Sequence, residues 1–89
     1  NQISKQDFNV LDSSAFILDV REDWEEPRLN KNRILVAPLN QLETFIDQIP
    51  REEKVYVVCQ KGLRSQAAIE LLTNGHSFQN LINLEGGIS

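Results

Sequence analysis

The stretch VYVVCQKGLRSQAAIELL (55–72) places a run of apolar, mostly β-branched residues directly before a short polar loop and a helical pattern. The run at 54–59 contains no strand-breaking residue and predicts a buried strand. The segment 64–75 predicts a helix that ends at the Asn-Gly pair 74–75. Its predicted inward face consists of small and apolar residues, namely Ala67, Ala68, Leu71 and Leu72. Cys59, the only cysteine, therefore falls where a strand passes into a loop.

Three further segments have the composition of strands. They are AFILDV (15–20), RILVAPL (33–39) and NLINLEGG (80–87), the last running into a Gly-Gly turn. Two other segments predict short helices: 4–11, with Ser4 as its N-cap, and 40–49, with Asn40 as its N-cap.

Alternating strands and helices indicate an α/β fold with a mainly parallel sheet and helices on both faces. We expect one small domain over residues 1–89. Ligands of such sheets bind outside the carboxyl ends of the strands. Cys59 lies at such an end, and Asp19 and Arg21, which close an earlier strand, are expected on the same rim.

Composition excludes several classes of function. A net charge of −4 argues against a nucleic-acid-binding surface, and no apolar run reaches the roughly 20 residues that a membrane span needs. A lone cysteine cannot form an internal disulfide, which favours a reducing, cytoplasmic location. One thiol and one distant histidine fall short of a metal site, so no metal or cofactor is expected. The first residue, Asn1, and the ending LEGGIS suggest a fragment of a longer protein.

Two interpretations of the cysteine remain open: a buried structural side chain, or a nucleophile held by backbone N–H groups. Residues 60–65 comprise a turn and the start of a helix, whose first N–H groups lack intrahelical partners. If these groups point at the sulfur, they favour the thiolate and lower the pKa of Cys59. The residues expected to cradle an anion in this way are Gln60, Lys61, Gly62, Leu63, Arg64 and Ser65.

The side chains around this loop receive individual predictions. Lys61 and Arg64 are expected to add positive charge near the sulfur, and Ser65 is interpreted as a helix cap rather than a catalytic hydroxyl. Asp19 and Arg21 are expected to form an ion pair or hydrogen bonds that support the loop. Two predictions concern the intervening turn: Trp24 as a hydrophobic clamp, and the pair Glu25-Glu26 as a solvated face.

Three stretches together resemble the rhodanese family of sulfurtransferases. They are ILDVRE (17–22), VYVVCQKGLRS (55–65) and INLEGGI (82–88), in the family's order and spacing, and they span nearly the whole chain. Within that family the sequence is similar to rhodanese domains appended to the adenylyltransferases of molybdopterin and thiamine sulfur assembly.

The resemblance implies that Cys59 accepts a sulfane sulfur and carries it as a persulfide. The donor would be thiosulfate or a protein persulfide, such as that of a cysteine desulfurase. The acceptor would be a thiol, cyanide or a ubiquitin-like sulfur carrier protein, and an adenylyltransferase domain would lie in the same chain. On this basis the chain is expected to be a thiosulfate sulfurtransferase type of enzyme that binds neither nucleic acid nor membrane.

Two alternatives remain. Phosphatases and arsenate reductases with a cysteine loop typically place five residues between cysteine and arginine, whereas four separate Cys59 from Arg64 here. The shorter loop favours a sulfur atom over a tetrahedral phosphate. A non-catalytic binding or regulatory module is the other alternative, because the segment 27–38 lacks the histidine and glycines that the family usually shows there.

Overall fold

The computed structural model describes residues 1–88 as one parallel sheet with helices packed on it. The elements, in chain order, are β1 (Gln2–Ile3), α1 (Lys5–Asn9), β2 (Phe16–Asp19), β3 (Arg33–Val36), a 3-10 helix (Leu39–Gln48), β4 (Val55–Val58), α2 (Leu63–His76) and β5 (Leu81–Leu84). The strand order is β1-β5-β4-β2-β3, and every neighbouring pair is parallel. The predicted α/β class is confirmed.

Alternate residues of the central strands face opposite sides of the sheet, as the two-residue strand period requires. Leu18 and Val57 point to the side covered by α2 and the 3-10 helix, where they join Leu72 in the larger apolar core. Ile17 and Val58 point to the other side and join a smaller core. Phe8 of α1 also belongs to this second cluster. Helices therefore cover both faces, as predicted.

The predicted helix starts were right in one case and wrong in another. Ser4 is the N-cap of α1, and its hydroxyl accepts a hydrogen bond of 3.1 Å from the amide of Asp7. Asn40 is not a cap, because it already lies inside the 3-10 helix, which follows Pro38 and has no side-chain cap. The proline fixes its own φ and starts this helix two residues earlier than the sequence pattern indicated.

Helix α2 is longer than predicted at both ends. It begins directly after Gly62, so Ser65 lies within the first turns and is not the cap. It continues through Gly75 and ends where Ser77 takes a left-handed conformation (φ 62°). Ser77 and the buried Phe78 both donate to the carbonyl of Leu72, so tertiary anchoring moves the helix end past the Asn-Gly pair. Ala67, predicted to face inward, is exposed.

The carboxyl ends of β2, β4 and β5 lie at one edge of the sheet. Asp19 pairs with Val58 in the register of β2 and β4, which places Cys59 next to the end of β2. The turn after β5 returns to the same point, where the amide of Ile88 donates to the carbonyl of Cys59 at 3.0 Å. The two-residue strand β1, which the sequence pattern did not predict, extends the sheet beyond β5.

Candidate active site

The sulfur of Cys59 lies at the centre of a ring of polar groups, two backbone amides and one hydroxyl. The amide of Gly62 donates to Sγ at 3.0 Å and the amide of Ser65 at 3.3 Å. The Ser65 hydroxyl oxygen is 3.4 Å from the same sulfur. Because α2 starts at Leu63, these first-turn amides have no carbonyl partner within the helix and are available to the sulfur. Of the six residues predicted to cradle an anion, Gly62 and Ser65 thus direct their amides at the sulfur.

Two opposing effects set the pKa of Cys59. Burial of the thiol raises the pKa, since the residue is only 1% exposed and the charged form loses hydration. Hydrogen bonding with the Ser65 hydroxyl and hydrogen bonds from the amides of Ser65, Gly62 and Lys61 lower the pKa, and together they outweigh burial. The pKa of Cys59 is lowered below its ordinary value, which favours the thiolate.

A glycine turn forms one wall of the sulfur-binding loop, which comprises residues 60–65 around the sulfur of Cys59. Gly86 and Gly87 both have positive φ, 77° and 76°. A Cβ atom on Gly87 would overlap the backbone of Gln60 and Lys61, whereas one on Gly86 would meet open space. A Cβ on Gly62, at φ 92°, would lie 3.3 Å from the amide nitrogen of Gly86. The turn and the loop thus approach each other backbone to backbone, a contact that sequence patterns alone did not predict.

The buried side chain of Arg21 connects β2 to the loop. Its Nε and Nη2 donate to the two carboxylate oxygens of Asp19, each at 3.1 Å, and both side chains are 0% exposed. Its Nη1 donates to Oε1 of Gln60 at 3.1 Å. Asp19 also accepts a hydrogen bond of 3.1 Å from Arg28. These contacts fix the first loop residue against the strand end on which Asp19 lies.

Arg64 does not stand unpaired beside the sulfur. Its guanidinium binds the carboxylate of Glu25 through two hydrogen bonds of 2.6 and 2.7 Å. These bonds lower the pKa of Glu25 to about 2. Because the pair neutralises itself, the thiolate depends on backbone amides and a hydroxyl more than on the arginine charge predicted for this role. Glu25 is a partner of the loop, so its prediction as a solvated residue was wrong.

The loop opens to solvent through a mouth of about 270 Å³, lined by Cys59, Gln60, Lys61, Leu63 and Arg64. Leu63 is 73% exposed on this rim. Trp24 is equally exposed. It precedes Glu25 in the sequence, and Leu63 precedes Arg64, the residue that Glu25 binds. Trp24 is therefore not the hydrophobic clamp that was predicted.

Asn83 contacts the site through Ser65 and was not predicted from the sequence. It lies in β5, is 3% exposed, and accepts a hydrogen bond from the Ser65 hydroxyl through Oδ1. The available signal was a polar residue in the middle of the apolar run LINL, since buried amides need partners. Asn83 pairs with Val57 in the sheet register, which directs its side chain towards α2 and Ser65.

Within residues 1–88, no three acidic, histidine or cysteine side chains gather in a way that could hold a metal ion. None of the helices in this range combines the length and apolar character required to cross a membrane.

Comparison with known proteins agrees with the geometry. A sequence profile of the rhodanese-like domain matches residues 4–89. Rhodanese-like domain-containing protein 11 of Arabidopsis thaliana, a chloroplastic protein, is 37% identical over 62 residues, which are 70% of this chain and 19% of that protein. The putative sulfur carrier protein YrkF of Bacillus subtilis is 29% identical over 77 residues, or 86% of this chain and 41% of that protein.

Among solved structures, the NAD-dependent persulfide reductase from A. fulgidus superposes with a TM-score of 0.79 at 34% identity. The match covers 98% of this chain and 15% of the reductase. The chain thus spans less than half the length of the curated relatives it matches. Because the family profile covers almost every residue from the first helix cap onward, the chain belongs to the rhodanese-like domain family.

Proposed function

We propose that this domain is a sulfurtransferase in which Cys59 carries a sulfane sulfur as a persulfide. With thiosulfate as donor, the thiolate attacks the outer sulfur, a new S–S bond forms, and sulfite leaves with the electrons of the broken S–S bond. An acceptor thiolate or cyanide then attacks the terminal sulfur and releases the Cys59 thiolate. The single observation that carries this proposal is that the backbone amides of Gly62 and Ser65 donate to the sulfur.

The geometry of the ring suits a persulfide. Each half-reaction starts from or ends at a sulfur anion, and preoriented amides stabilise such charge without reorganising. The mouth leaves room for one further sulfur and its attacking partner. The exposed ammonium of Lys61 on the rim supports the approach of anionic donors. Leu63 and the amides of Gly62 and Ser65 complete the surface that a terminal sulfur would meet.

The relatives support sulfur chemistry without fixing the donor or acceptor. One is named a putative sulfur carrier and another a persulfide reductase. We propose a protein persulfide, such as that of a cysteine desulfurase, or thiosulfate as donor. A ubiquitin-like carrier is proposed as acceptor, with an adenylyltransferase domain in the same parent chain serving molybdopterin assembly. A reducing compartment such as the cytoplasm would keep the thiol free.

Intact-mass spectrometry tests the transfer step. The reduced protein is incubated with thiosulfate, or with a cysteine desulfurase and free cysteine, and we expect it to gain the mass of one sulfur atom. Later addition of cyanide should remove that mass and yield thiocyanate. Cys59→Ser is the matched control and should gain nothing. An unchanged mass with both donors would reject the sulfurtransferase assignment.

A binding module without turnover is the second candidate, and two exposed side chains favour it: Leu63 on the rim and Trp24 beside Glu25 in sequence. Large exposed apolar side chains suit contact with another protein. If binding is the function, a ubiquitin-like carrier should bind Cys59→Ala as tightly as wild type and lose affinity for Trp24→Ser and Leu63→Ser. Sulfur loading in the mass experiment, with carrier binding unaffected by Trp24→Ser and by Leu63→Ser, would reject this candidate.

A further inference from the structure

A chain of three buried polar side chains extends from the sulfur into the sheet. The Ser65 hydroxyl oxygen is 3.4 Å from the sulfur of Cys59, and the hydroxyl donates to Oδ1 of Asn83. Ser65 is 0% exposed and Asn83 is 3% exposed. The sheet register places Asn83 beside Val57, on the face that α2 covers. These hydrogen-bonded side chains therefore link the reactive sulfur to β5, a strand that carries no reacting group.

The hydrogens in this chain can be counted. A serine hydroxyl carries one hydrogen, and a neutral thiol carries one. When Cys59 is protonated, its S–H donates to Ser65 and the Ser65 hydroxyl donates to Asn83, so every contact has one hydrogen. When Cys59 is ionised, the sulfur accepts hydrogen bonds only. The Ser65 hydrogen must then turn towards the sulfur, which would leave two oxygen atoms facing each other between Ser65 and Asn83.

The other end of the Asn83 amide relieves this conflict. Its Nδ2 is buried and has no hydrogen-bond partner among residues 1–88. A half-turn about χ2 exchanges Oδ1 and Nδ2 and brings an N–H donor to the Ser65 oxygen. The rotation breaks no other hydrogen bond of the Nδ2 group, and the amide makes one bond to Ser65 in either orientation. The preferred orientation therefore follows the direction of the Ser65 hydroxyl.

We propose that Asn83 is a positioning residue that rotates its amide with the charge of Cys59, accepting from Ser65 when the sulfur is a thiol and donating to Ser65 when it is a thiolate. The proton that leaves the sulfur passes to solvent through the mouth, and neither Ser65 nor Asn83 gains or loses one. In the thiolate state the N–H of Asn83 polarises the Ser65 hydroxyl and strengthens its hydrogen bond to sulfur. The lowered pKa of Cys59 agrees with this arrangement.

The fixed charges near Cys59, Ser65 and Asn83 cannot take the place of the Asn83 amide rotation. In the described part of the molecule, none of them hydrogen-bonds to Nδ2 of Asn83. Lys61 and Arg64, with its partner Glu25, lie on the loop, and Arg21, with its partner Asp19, binds the loop residue Gln60. Glu70 lines the open cleft beside Asn83. Their field acts on Cys59 whichever way the amide points. The amide orientation, in contrast, changes together with the direction of the Ser65 hydroxyl hydrogen.

The inference concerns the ionisation of Cys59 and goes beyond the proposed function. It would stand if the domain transferred no sulfur, and sulfur transfer would stand if the amide stayed fixed. The mass experiment and the titration described next therefore fail independently.

The test follows the Asn83 side-chain amide by ¹H–¹⁵N NMR during a pH titration of the reduced protein. Because Cys59 is the only cysteine, no other thiol contributes to the thiolate absorbance in the ultraviolet. We expect the Asn83 amide protons to shift downfield with the same midpoint as the thiolate signal. The Asn80 amide is the internal control, since its Nδ2 donates to the carbonyls of Pro50 and Glu53 at 2.8 and 2.6 Å and should not follow that midpoint.

Ser65→Ala separates rotation from a through-space effect of the sulfur charge. The variant keeps the charge but removes the hydroxyl that connects the two groups, so the Asn83 signal should no longer follow the thiolate midpoint. An Asn83 signal that stays constant through the wild-type titration would overturn the proposal without any variant. A signal that follows the thiolate equally in Ser65→Ala would overturn it as well.

Discussion

Substitution of Gly87 by alanine should damage the sulfur-binding loop from outside the loop itself. Gly87 has φ 76°, where an L-residue costs about 1–2 kcal/mol. The new Cβ would also overlap the Gln60 carbonyl group and the Cα of Lys61. Backbone atoms cannot move aside like the end of a flexible side chain, and such overpacking costs about 1–3 kcal/mol. These two costs together lower the unfolding free energy of Gly87→Ala by about 2–5 kcal/mol, before the smaller gain from the unfolded chain that it shares with its control.

Gly86→Ala is the matched control. Its φ of 77° carries the same conformational cost, but a Cβ there meets nothing within 4 Å. Alanine also restricts the unfolded chain, which returns about 0.4–1 kcal/mol in both variants. Gly86→Ala should therefore lose only about 1 kcal/mol, which corresponds to a fall of about 4–8 °C in the melting temperature.

Two assays separate the variants. Urea denaturation measures the free energy of unfolding, and the rate of Cys59 alkylation by iodoacetamide against pH measures the thiolate. Movement of Lys61 displaces an amide that lowers the pKa of Cys59, so Gly87→Ala should need a higher pH to reach the wild-type alkylation rate. Gly86→Ala should keep the wild-type profile. Equal stability and equal alkylation profiles for the two variants would refute the backbone contact between turn and loop.

Three further predictions follow from the polar contacts. Ser65→Ala removes one hydrogen bond to the sulfur, worth about 1 kcal/mol, so alkylation on the acidic side of the titration should slow about fivefold; an unchanged rate would show that the hydroxyl does not serve the thiolate. The pKa of Glu25 is about 2 in the folded protein and 4.5 ordinarily, so the ionised carboxylate stabilises the fold fully above pH 4.5. This stabilisation is lost as the pH falls towards 2. Because Arg64 is 37% exposed, solvent screening reduces the effect to about 1 kcal/mol, and urea denaturation at several pH values should show it in wild type but not in Glu25→Gln. Arg21→Leu leaves the buried Asp19 without its main partner and should cost about 3 kcal/mol in the same denaturation assay. Arg28→Leu should cost less, because Arg28 is the second partner of that carboxylate and is partly exposed; the reverse order would contradict the assigned roles.

The sequence by itself determined the fold class and the place of the thiol. Apolar runs of strand length separated by helical patterns specify a parallel sheet, because each element must bury the side chains that its own period brings to one face. Cys59 at the end of the β4 segment, followed by Gly62 and a helix, was sufficient to predict amides directed at the sulfur. These features depend on residues close together in the chain.

Only the tertiary structure decided which distant polar groups meet. Arg64 binds Glu25 across 39 positions, and Ser65 bonds to Asn83 across 18. Local periodicity indicates that a side chain is buried or exposed, but it does not indicate which strand is its neighbour. The order β5-β4-β2 brings Asn83 under α2 and the glycine turn against the loop, and burial then requires each polar group to find the partner that this order supplies.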